Sequence, residues 1–72
     1  MKIVTLGNFQ FEYDPQNIYC FADNHNQRIA FITPREINVV IDIVDGNLTF
    51  HPDRAVDIIE LDTHKYRVVS YY

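Results

Sequence analysis

From residue 2 to residue 13, apolar and polar positions alternate as Lys2-Ile3-Val4-Thr5-Leu6 and, after Gly7-Asn8, as Phe9-Gln10-Phe11-Glu12-Tyr13. A period of two marks a strand with one face buried, and it sets Phe9, Phe11 and Tyr13 on the same side. Gly-Asn is a two-residue hairpin signal, so the segment reads as two short strands joined by a tight turn; one long strand with a bulge is the alternative. Asp14-Pro15-Gln16-Asn17 is a turn by residue type. Ile18-Tyr19-Cys20-Phe21-Ala22 follows as a strand, Asp23-Asn24-His25-Asn26 as a second turn, and Gln27-Arg28-Ile29-Ala30-Phe31-Ile32 as the return strand. That return strand is apolar on both faces, as a central strand should be.

In Thr33-Pro34-Arg35-Glu36, a threonine N-cap, a proline in the first turn and a following glutamate form a capping box. Ile37, Val40, Ile41 and Val44 recur at helical spacing, and Gly46 stands where a C-terminal cap belongs. The β-branched run Ile37-Asn38-Val39-Val40-Ile41-Asp42-Ile43-Val44 argues for a strand instead. Capping and spacing together predict a helix. Leu48-Thr49-Phe50 reads as a short strand. Residues 54–61 fit a strand or a second helix, and strand is preferred because Asp62-Thr63-His64-Lys65 then turns into the strand-like Tyr66-Arg67-Val68-Val69-Ser70-Tyr71-Tyr72. The expected fold class is α+β. It is a small single domain spanning residues 1–72, mostly antiparallel β-sheet of about five or six short strands, with one helix near residues 34–45 packed on it.

The stretch Ile32-Thr33-Pro34-Arg35-Glu36 through Gly46 resembles the opening of the helix-turn-helix domain of quorum-sensing transcription activators, which begins with a capped Thr-Pro-Arg-Glu helix ending at a glycine. Those domains continue into an alanine-rich helix and a basic recognition helix. Here the chain continues with Leu48-Thr49-Phe50-His51-Pro52 and an acidic, strand-like segment. The departure falls where DNA is read, so the likeness is one of helix starts, and no family is assigned from it.

Composition narrows the function. With 72 residues the chain supports one modest core, and a domain of this size buries only about 60% of its unfolded surface. Ten acidic against six basic residues give a net charge of -4, the wrong sign for gripping phosphates. A single cysteine, Cys20, excludes an internal disulfide and an all-cysteine zinc site within one chain. No long apolar run and no signal-like start are present, so a soluble, cytoplasmic protein is expected.

Candidate chemistry is sparse. Cys20 lies in an apolar strand, where cysteine is usually a small hydrophobe. His25, His51 and His64, with Asp53 and Asp62, lack close metal-ligand spacing, and the acidic residues Asp42, Asp45, Asp57 and Glu60 alternate with apolar ones as a solvated face does. No catalytic residue, metal or cofactor is predicted, and enzymatic function is disfavoured. Five tyrosines and five phenylalanines remain, more than one small core readily hides. Tyrosine suits interfaces because an apolar ring carries a polar tip. The partner-binding residues expected are Tyr13, Tyr19, Tyr66, Tyr71 and Tyr72, together with a sheet edge.

These residues point to a non-catalytic domain that binds another protein: a small acidic inhibitor, adaptor or regulatory subunit, of the kind that phages direct at host defence proteins. The same surface serves a homodimer equally well. Two alternatives stand beside it. One is a nucleic-acid-associated regulator or DNA mimic, which as a nucleic-acid binder needs Arg28, Arg35, Arg54, Lys65 and Arg67 on one face. The other is a small enzyme or metal-binding subunit using His and Cys.

Overall fold

The computed structural model describes residues 1–34, 38–51 and 56–70. The elements are β1 (Lys2–Leu6), β2 (Phe9–Tyr13), β3 (Tyr19–Asp23), β4 (Arg28–Ile32), β5 (Asn38–Val44), β6 (Asn47–His51), β7 (Val56–Asp62) and β8 (Lys65–Ser70). They form two four-stranded sheets, ordered β1-β2-β8-β7 and β3-β4-β5-β6. The first sheet is two hairpins joined by a parallel pairing of β2 with β8. The Gln10 N–H extends that junction by donating to the His64 carbonyl at 2.8 Å. The second sheet is an antiparallel meander.

The expected α+β class is therefore corrected: the described chain is all β, with eight strands rather than five or six and no helix among the described residues. The segment expected to be helical is largely β5, which pairs with β4 on one side and β6 on the other. Along it Val39 and Ile41 are fully buried, whereas Val44 is exposed. The β-branched side chains pack well on a pleated central strand and lose rotamer freedom in a helix. Arg35 and Glu36 of the capping box, and Ile37 of the helical stripe, lie outside the described residues.

The glycine read as a helix cap closes a hairpin. Asp45 has φ 54° and Gly46 φ 78°, the paired positive values of a type I′ turn, whose twist suits the flanking strands β5 and β6. A Cβ at Gly46 would meet nothing within 4 Å, so the glycine is needed for its backbone alone. Gly46→Ala is expected to cost about 1–2 kcal/mol in chemical denaturation, and Gly46→Asn clearly less, because asparagine tolerates this conformation. Equal cost for both would contradict the turn assignment.

Residues 56–61 are strand, as preferred from sequence; positions 52–55 lie outside the described residues. The two sheets meet through Leu6, Phe9, Phe11 and Tyr13 on one side and Ile29, Phe31, Val39 and Ile41 on the other, with Ile18, Val56 and Val68 completing the core. Phe11 and Tyr13 touch Phe31 across the interface at centroid distances of 5.9 and 5.6 Å. Buried rings from the two sheets thus fix how one sits on the other, and with it which residues face outward.

Candidate functional site

The five tyrosines expected to form one surface fall in different places. Tyr13 is 8% exposed and belongs to the core, where burial and the neighbouring Cys20 raise its pKa. Tyr66 is half-buried, stacked on Phe11 and opposite Glu60, and burial chiefly raises its pKa. Tyr19 is 71% exposed on the outer side of β3. Tyr71 and Tyr72 lie outside the described residues.

Around Tyr19 the register assembles a surface that the tyrosines alone did not indicate. Because Cys20 pairs with Phe31 and Ala22 with Ile29, the even positions of β3 share the inner face, and Tyr19, Phe21 and Asp23 share the outer one. Across the sheet, Phe21, Ala30, Val40 and His51 stand in one row, and Asp23, Arg28, Asp42 and Thr49 in the next. Ile32 lies opposite Tyr19. Phe21 is 63% exposed, and Ala30, Ile32 and Val40 are half-buried. The result is an apolar, aromatic outer face bordered by a charged row.

That row is internally paired. The Arg28 guanidinium donates from Nε to Asp42 at 2.7 Å, and His51 Nε2 lies 3.8 Å from the other Asp42 oxygen. Hydrogen bonding to Asp42, reinforced by its charge, raises the Arg28 pKa further. Asp23 accepts backbone N–H bonds from His25 and Asn26 and a side-chain bond from Asn26, which lower its pKa and hold the β3–β4 loop in an Asx turn. Exposed pairs of this kind add little stability, but they fix side-chain positions at the border of a surface.

β3 is also a terminal strand of its sheet. Its sequence, Tyr19-Cys20-Phe21-Ala22-Asp23, lacks the lysine, proline or bulge that commonly blunts an edge. The edge strand β7, by contrast, carries a register irregularity between Glu60 and Asp62 and several acidic residues.

The outer face of the other sheet is more polar. Its row Ile3, Glu12, Arg67, Ile59 centres on an ion pair, with Arg67 Nε donating to Glu12 at 2.9 Å. Arg28 and Arg67 thus lie on opposite outer faces, each engaged with a carboxylate. Arg35 and Arg54 lie outside the described residues, so among the described residues the basic side chains are not gathered on one face.

Cys20 is half-buried beneath β3, and burial pushes its thiol up to about 11 against the hydrogen bond from Tyr13 and the charge of Lys2, which act to lower it. His25, His51 and His64 sit in the β3–β4 loop, at the end of β6 and in the β7–β8 turn, and Asp62 ends β7; Asp53 lies outside the described residues. Among the described residues no three His, Cys, Asp or Glu side chains converge, and no helix is long and apolar enough to cross a membrane. Compared with known proteins, the chain matches no family model, no curated protein and no solved structure.

Proposed function

We propose that this chain is a non-catalytic protein-binding domain, a small cytoplasmic inhibitor, adaptor or regulatory subunit, whose contact surface is the outer face of the β3-β4-β5-β6 sheet and the adjoining β3 edge. The observation that carries the reading is the exposure of Tyr19 and Phe21, 71% and 63%, beside the apolar neighbours Ala30, Ile32 and Val40. Adjacent exposed aromatics on a rigid sheet supply large contact area at little conformational cost, which is the usual make-up of an interface hot spot. The partner is another protein with an apolar centre and a basic border, since the face is edged by Asp23 and Asp42 and the whole chain carries a charge of -4.

The paired variant Tyr19→Ala with Phe21→Ala tests this. Against a partner captured with the tagged native chain at moderate salt, the double variant is expected to bind about tenfold more weakly or worse while circular dichroism stays native. Ile59→Ala, on the opposite sheet, should bind as the native chain does. Equal loss in both variants, or none in either, would remove this face as the interface. Sedimentation of the purified chain distinguishes a second copy from a foreign protein as the occupant.

A further inference from the structure

One end of the molecule holds a second arrangement, separate from the outer sheet face. There β6 of one sheet approaches the β7–β8 hairpin of the other around an open cleft of about 350 Å³, within the range of small-ligand sites. Its walls are built from Phe9, Phe50, Tyr66, His64, Leu48 and Glu60. Phe50 and Tyr66 meet with centroids 5.7 Å apart and planes at 65°, and Phe9 and His64 at 4.7 Å and 83°. Phe9 and Tyr66, 6.3 Å apart, join the two pairs, so four rings of differing orientation border one open cleft. Tyr66 is fixed from behind, stacked on Phe11 at 5.6 Å and 21°. The His64 ring is held by its turn, which the Gln10 N–H ties down.

Among the described residues the one carboxylate of this lining is Glu60. It stands opposite Tyr66 in the β7–β8 pairing, and its carboxylate offers about four acceptor sites. Among the described residues no lysine or arginine lines the cleft. Phe50 remains 37% exposed, so its ring is offered to the opening rather than spent on the core.

We infer that this cleft is an aromatic cage for a methylated ammonium group. Rings attract such a cation through their negative faces, a carboxylate in the wall matches its charge, and a fully methylated cation has no hydrogen-bond donors, which suits a lining made mostly of carbon. The acidic chain as a whole adds a field that draws cations and repels phosphate esters. The shared chemistry has two sources: a free quaternary amine, or a trimethylated lysine side chain on a partner protein.

The test is a titration of the isotopically labelled chain, read by amide chemical shifts, with choline, its neutral isostere 3,3-dimethylbutan-1-ol, and a short peptide carrying trimethyllysine. Choline is expected to saturate with shifts centred on Gly46, Leu48, His64 and Tyr66, and the neutral isostere to bind about tenfold more weakly. Phe50→Leu, which keeps apolar bulk without a ring, and Glu60→Gln, which keeps the side chain's shape without its charge, should each weaken choline about fivefold or more. A peptide about tenfold tighter than choline identifies a protein side chain as the source, and equal affinities a free amine. Equal binding of choline and its isostere, failure to saturate by about 100 mM, or shifts centred elsewhere would overturn the cage.

Discussion

Phe11→Ala is expected to remove a large share of the stability of this domain. Phe11 is fully buried at the centre of the first sheet, in ring contact with Phe31 of the opposite sheet and stacked on Tyr66 beside it. Truncating a buried phenylalanine costs about 3–5 kcal/mol, the transfer of the ring plus the cavity it leaves. At about 0.05–0.15 kcal/mol per residue, a chain of this length holds about 4–11 kcal/mol in total. The melting temperature should therefore fall by at least about 12 °C, and urea denaturation with circular dichroism as the probe measures the loss. Phe21→Ala is the contrast. Its ring lies on the outer face, and its loss should cost no more than about 0.5–1 kcal/mol. Similar costs for the two phenylalanines would mean that the inner and outer faces of the sheets are wrongly assigned.

Cys20 in the folded chain should react with iodoacetamide at neutral pH about two orders of magnitude more slowly than an unhindered cysteine. The thiolate is the nucleophile, and burial pushes this thiol up to about 11, so very little of it is ionised. Alkylation in urea should recover the ordinary rate, and a folded-state rate equal to the unfolded one would contradict the packing of β3 on the core. The same physics sets a pH dependence. Cys20, Tyr13 and Tyr66 are acids whose neutral forms the fold favours, all three raised chiefly by burial. The unfolded chain releases their protons first, so the stability they contribute is complete below the ordinary thiol value of 9.0 and is lost as pH rises toward about 11.

Where sequence and structure agree, the agreement rests on local rules. Gly7-Asn8 and the polar cluster after Asp23 mark real hairpins, with Gly7 at φ 60° and the Asp23 carboxylate bonding its own loop. Phe9, Phe11 and Tyr13 line the inner face of β2 as their alternation requires. Where they disagree, two local patterns competed for the same residues. Val40, Ile41 and Val44 satisfy a helical period, while Val39 and Ile41 satisfy a strand period. The deciding term was the pairing of β5 with both β4 and β6, which no local pattern contains. One local signal did exist in Asp45-Gly46, a strong two-residue hairpin pair that also resembles a helix end.

The candidate surface divides along the same line. That the aromatic residues together exceed the needs of one core was legible from composition, and Tyr19 was among the tyrosines named. Its neighbour Phe21 was not, because β3 is apolar at almost every position and alternation cannot say which side faces water. Neighbouring residues alone account for the turns at Gly7-Asn8, after Asp23 and after Asp62 and for the alternating strands, and composition alone for the acidic balance and the lone thiol. The tertiary structure decided that β5 is a strand, that Tyr13 points inward while Tyr19 points outward, and that Phe50 meets Tyr66 across two sheets. Those outcomes depend on which strands pair and which faces pack, and burial is settled by long-range partners rather than by neighbours in sequence.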